Sequence, residues 1–144
     1  MASRQDLVVT QKRAVTKLVF NAETAAYSLG VTGSLFDGIG GITGERFVAG
    51  ITNNTAALSR ILWSNNVATQ GYNLTWAGNP GGTAYVAYGT DGELNFEKFT
   101  INNNATNPTG ILTITPIGGT VTGTVILEFV HRSGSVTPPN YLAL

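Results

Sequence analysis

The chain has 144 residues, 8 Lys+Arg, 8 Asp+Glu and one His, so its formal net charge is zero, and only 11% of it is charged, against about a quarter in ordinary soluble domains. There is no Cys, which excludes a disulfide scaffold, a thiol nucleophile and, with a single His, a structural zinc site of Cys/His type. Balanced charge leaves no basic footprint for nucleic acid, and the longest apolar run, Ala84–Tyr88, is far short of the ~20 residues of a membrane helix.

Two Trp, five Tyr and six Phe in a chain that is 42% hydrophobic are too apolar for disorder. At this length roughly two thirds of the unfolded surface can be buried, enough for one core and one domain. The first residues, Met1-Ala2-Ser3-Arg4-Gln5-Asp6, have no signal-type apolar segment.

Along the chain, runs rich in Val, Ile, Thr, Tyr and Phe alternate with turn signals, the spacing of an all-β sandwich or barrel. Strands are predicted near Leu7–Thr10 and Arg13–Phe20. Ser34–Gly44 holds Gly38, Gly40, Gly41 and Gly44 and reads as a long, mobile loop. Further strands are predicted near Arg46–Ile51 and Leu58–Trp63. In the next, Tyr72, Leu74 and Trp76 share a face opposite Asn73 and Thr75. Thr83–Tyr88 and Glu93–Ile101 flank Gly89-Thr90-Asp91-Gly92 and predict a hairpin, because Gly after Asp accepts positive φ. Leu112 and Ile114 oppose Ile111, Thr113 and Thr115. In Gly119–Val130 one face reads Val121, Gly123, Val125, Leu127, Phe129, with Gly123 marking a bulge or bend. That makes about nine or ten strands. The end, Ser133 to Leu144, carries Pro138-Pro139 and four apolar residues, and reads as an extended arm.

Chemical motifs are few. The glycine loop lacks the final Gly of a dinucleotide fingerprint, and Glu45 stands where a phosphate loop needs Lys. His131 has no G-x-S-x-G to serve. Asp91, Glu93 and Glu97 read as solvated hairpin charges: Glu93 and Glu97 are roughly 13 Å apart by strand rise, too far for a glycosidase pair. Three Asn-x-Ser/Thr sequons, at Asn53, Asn73 and Asn104, are frequent by chance in so Asn- and Thr-rich a chain. No enzyme, metal or cofactor is expected. The aromatics Trp63, Tyr72, Trp76, Tyr85 and Tyr88 are core by spacing; as an alternative, Trp63 and Trp76 would be the stacking residues of a carbohydrate-binding module.

Low charge, Gly/Thr/Asn richness and short strands come together in Thr106-Asn107-Pro108-Thr109-Gly110-Ile111-Leu112-Thr113-Ile114 and in Gly119–Phe129. In this style the chain resembles the small β-sandwich structural proteins of tailed-bacteriophage virions, especially capsid decoration (cement) proteins. The resemblance implies a non-enzymatic subunit on the capsid exterior, made in the host cytoplasm. It would bind the outer face of a major capsid protein, without nucleic acid or membrane, as a homo-oligomer in which a trimer is favoured. Another virion component, a tail, neck or fibre subunit, is the nearest alternative.

The expected fold is thus an antiparallel β-sandwich of jelly-roll type. Residues 1–12 form an extended N-terminal arm, 13–133 the sandwich and 134–144 an extended C-terminal arm. Residues 1–20 carry four basic residues against one acidic, so Arg4, Lys12 and Arg13 are candidates for docking on an acidic shell. Tyr141, Leu142 and Leu144 are candidates for packing the arm on a neighbour, and repetition on a lattice supplies avidity.

Overall fold

A computed structural model describes residues 2–9, 13–29, 56–95, 100–102, 104–107 and 111–131. They form ten strands. The first five are β1 (Ser3–Val9), β2 (Arg13–Glu23), β3 (Tyr27–Leu29), β4 (Ala56–Asn65) and β5 (Gly71–Trp76). The rest are β6 (Gly82–Tyr88), β7 (Asp91–Asn95), β8 (Ile101–Asn102), β9 (Leu112–Ile117) and β10 (Val121–His131). No helix occurs among the described residues.

Every pairing is antiparallel. One sheet has six strands in the order β1-β2-β10-β4-β7, with β8 also on β4; the other has four, β3-β9-β5-β6. We call them sheets A and B. The chain passes repeatedly between the sheets, staying in one only at β1–β2, β5–β6 and β7–β8, so that β2-β10-β4-β7 faces β3-β9-β5-β6. That interleaving is the jelly-roll order, and the expected fold class holds.

The alternating patterns place the core. In β2, Ala14, Thr16, Leu18 and Phe20 are buried while Val15, Lys17 and Val19 are half-buried. Leu58, Ile61, Val125, Leu127 and Phe129 join them from sheet A, and Leu29, Tyr72, Leu74, Trp76, Leu112 and Ile114 face them from sheet B. Side chains alternate across a strand, so two such sheets bury their apolar faces against each other. The Phe20 and Tyr72 rings meet across this interface, centroids 5.2 Å apart and tilted by 48°.

Tyr72 also donates its hydroxyl to the Ser64 carbonyl across the sandwich, at 2.8 Å. Burial pushes its phenol up from 10.0 to about 12. The folded state therefore holds this proton more tightly than the unfolded one. Its contribution is intact below about pH 10 and is lost as pH rises through about 12, a fall of about 2–3 kcal/mol. Urea midpoints between pH 9 and 11.5 should decline accordingly, and Tyr72→Phe should flatten that decline.

Three expectations are corrected. Residues 3–9 are extended, but they are no arm: β1 pairs with β2 along its length, and Ala2 is buried in the core. The expected hairpin is also absent: β6 pairs with β5 in sheet B and β7 with β4 in sheet A. Gly89-Thr90 is therefore a crossover between sheets. Its positive φ falls on Gly89, at 102°, and not on Gly92. Gly92 lies inside β7 opposite Trp63, where any Cβ would collide with the indole ring. Buried Asn65 pins the crossover: its Nδ2 donates to the Gln70 carbonyl at 3.1 Å and the Gly89 carbonyl at 2.5 Å, and its Oδ1 accepts from Val67 N–H at 2.9 Å. The third correction, the burial of Trp76, belongs with the surfaces below.

Gly123 does mark a bulge, with the β10/β2 register shifting between Val121 and Gly123. The Ser34–Gly44 loop, the strand at Arg46–Ile51, and the arm at 134–144 with Tyr141, Leu142 and Leu144 lie outside the described residues, as does Lys12.

Candidate docking surfaces

The two sheets differ in charge. β3, β5, β6 and β9 contain no charged residue at all. The charged residues among those described, Arg4, Asp6, Arg13, Lys17, Glu23, Arg60, Asp91, Glu93 and Glu128, all belong to strands of sheet A.

Six of these are tied in pairs. Arg4 Nε donates to Asp6 Oδ1 at 3.0 Å, each side chain 18% exposed. Their register partners on β2 are the buried Leu18 and Thr16, so both point toward the core side of the sheet. Thr16 donates its hydroxyl to the same Asp6 oxygen at 2.8 Å. Arg13 pairs with Glu128, which also accepts from Ser59 at 3.2 Å. Arg60 pairs with Glu93 at 2.6 Å on the outer face. Exposed pairs of this kind contribute at most about 1 kcal/mol each, but they leave the arginines already engaged.

Of the docking candidates, Arg13 is on the outer face, its side chain 52% exposed, whereas Arg4 is turned inward and engaged with Asp6. Those two do not form one basic patch. The outer face of sheet A instead centres on half-buried aliphatics, Val15, Val19, Leu62, Ile126 and Val130. An open depression of about 480 Å³ lies beside them, lined among others by Leu62, Ser64, Glu93, Thr124 and Ile126.

The outer face of sheet B is a field of hydroxyls. Register places Thr83, Thr75, Thr113 and Ser28 in one row across all four strands. Ser28 Oγ and Thr113 Oγ1 share a hydrogen bond at 3.0 Å. The next row holds Val86, Asn73 and Thr115. Toward the β6 edge stand two exposed apolar side chains, Val86 at 45% and Tyr88 at 52%. Tyr88 is fixed by donating its hydroxyl to the Thr69 carbonyl at 2.7 Å.

The paired-tryptophan platform is overturned. Trp76 is 1% exposed, in the core, because its face of β5 is the one that meets sheet A. Trp63 also turns inward, half-buried over Gly92, its ring 6.0 Å from that of Tyr85. No sugar can stack on Trp76 there, and the two indoles present no shared surface.

Sequence reasoning missed the charge-free sheet, though its signal is present. Residues 61–90 and 99–127 contain no Asp, Glu, Lys or Arg, and β5, β6 and β9 lie within those stretches. No protein-family model, curated protein or solved structure matches the chain. The fold and these surfaces define it as a jelly-roll sandwich with one charged and one neutral sheet.

Proposed function

We propose that the chain is a non-enzymatic structural subunit of a tailed-phage virion, binding the outside of the capsid lattice as a decoration protein that stabilises the head. The observation that carries the reading is the charge-free hydroxyl face of sheet B. Burying a charge against a neighbour costs its hydration. A neutral Thr/Ser/Asn face avoids that cost and makes wet, hydrogen-bonded contacts. Contacts of this kind are individually modest and become firm when repeated over a lattice. Jelly rolls also recur in viral capsid domains, an analogy of architecture that supports the reading without specifying the partner. The partner on this reading is the major capsid protein.

The test is a density gradient of the source lysate, with this protein quantified by mass spectrometry across the fractions. Co-sedimentation with particles in near one-to-one ratio to a major shell protein is the expected result. A few copies per particle would move the protein to the tail, neck or fibre. Recovery only in the soluble fractions would overturn the virion reading.

A further inference from the structure

Among the described residues the sheets end in the edge strands β1, β7, β3 and β6, with β8, only two residues long, beside β7 on β4. An edge strand offers unpaired N–H and C=O groups to any other strand, and proteins guard such edges with charges, bulges or shortness. Three of these edges are guarded. β1 carries the inward-turned Arg4 and Asp6 and a register shift between Asp6 and Val8. β7 has five residues, with Asp91 and Glu93 among them. β3 has three residues.

β6 differs. It has seven residues, Gly-Thr-Ala-Tyr-Val-Ala-Tyr, with no charge and no proline. Among the described residues it pairs only with β5. Its irregularity is confined to one end: the register shifts between Tyr85 and Thr83, and Asn104 Nδ2 donates to the Thr83 carbonyl at 3.1 Å. From Tyr85 to Tyr88 the strand is regular. Gly89 N–H donates to the Gln70 carbonyl at 2.9 Å, toward β5. By the alternation of an antiparallel ladder, Ala87 and Tyr85 also address β5, while Val86 and Tyr88 turn their backbone groups to the open side.

We infer that this edge is an interface between two copies of the chain, joined β6 to β6 about a two-fold axis into a continuous eight-stranded sheet. The occupant follows from charge and register. Antiparallel self-pairing brings each residue near its own kind, so a charged strand repels its copy; β6 has no charge, and the whole chain is neutral. A two-fold axis at Ala87 keeps both core faces on the same side and sets Val86 of each copy opposite Tyr88 of the other. Those are the two exposed apolar side chains of the strand, and aromatic against β-branched is a favourable cross-strand pair. Two such pairs and the backbone bonds between Val86 and Tyr88 form the centre. An isologous two-fold is also the commonest homo-oligomer. The edge thus favours a dimer over the trimer that the family resemblance implies. This inference needs no particle, so it stands or falls separately from the virion reading.

The test is sedimentation equilibrium of the purified full chain over a wide concentration range, with amide exchange read at low and high concentration. A monomer–dimer equilibrium is expected, with the Val86 and Tyr88 amides gaining protection as the dimer forms. Val86→Lys should raise the dissociation constant roughly tenfold or more without changing the far-UV spectrum, and Tyr88→Ala should weaken the dimer from the other half of the same pair. Leu7→Lys, on the guarded edge, should leave it unchanged. A chain monomeric throughout, a trimer, or a dimer indifferent to both β6 variants would overturn the inference. So would protection of those amides that does not vary with concentration, since the edge would then be covered by its own chain.

Discussion

Truncation of Trp76 to alanine is expected to lower the melting temperature by roughly 10–15 °C. The side chain is 1% exposed and is the largest in the core, among Tyr72, Phe20 and Phe129. Removing a buried Trp costs about 3–5 kcal/mol, as lost transfer energy plus an unfilled cavity, and a domain of this size loses roughly 3 °C per kcal/mol. Trp76→Phe should cost far less. It keeps most of the volume and removes an indole N–H that has no hydrogen-bond partner among the described residues. Calorimetry of the two variants checks both halves. Equal, small losses would show that Trp76 does not fill the centre of the sandwich.

Gly123→Val is expected to be the more damaging change, abolishing cooperative folding. Gly123 lies in β10, between β2 and β4, at the bulge. A Cβ there would run into the Ser64 carbonyl oxygen and the Tyr72 hydroxyl, and would stand 2.8 Å from Asn65 Cα. Two of the three obstacles are backbone of a paired strand and cannot swing aside. The third is the hydroxyl that bonds Ser64, so the substitution also breaks the link between the sheets. Overpacking usually costs about 1–3 kcal/mol; here strand, bulge and cross-link move together, and the loss should exceed that range. Gly89→Ala is the informative contrast. Nothing lies within 4 Å of its added Cβ, and only the φ of 102° opposes it, so the cost should be about 1–2 kcal/mol. Urea titrations separate the two, and a folded Gly123→Val chain would refute the packing described at the bulge.

Strand content was legible because period-two alternation survives wherever one face is buried. β2, β5, β9 and β10 show it in their residues alone. The allotment of strands to sheets was not legible, because pairing partners lie far apart in the chain. Val121 pairs with Glu23 and Leu127 with Thr16, and nothing local encodes that. The Asp91-Gly92 signal misled for a specific reason. Glycine there serves the Trp63 ring and not a turn, and one residue type answers both demands. Trp63 and Trp76 were readable as core or as platform; alternation favours core, and only the facing sheet decides it. The ion pair Arg13–Glu128 joins residues far apart in the chain, so a net charge counted by segment could not reveal that this arginine of the basic N-terminal region is engaged.

The position of β10 also bears on how the chain matures. It is the last described strand in sequence, yet it sits in the middle of sheet A, hydrogen-bonded to β2 on one side and β4 on the other. Before it arrives, β2 and β4 have no reason to stand next to each other, and the sheet is two separate ribbons. Every other described strand must therefore leave the ribosome before the principal sheet can close. Non-local pairing of this kind is slow, and strands waiting for it are open to the wrong partners. Nascent copies crowded on one message would be the nearest such partners, and their best safeguard is the rapid arrival of the final strand.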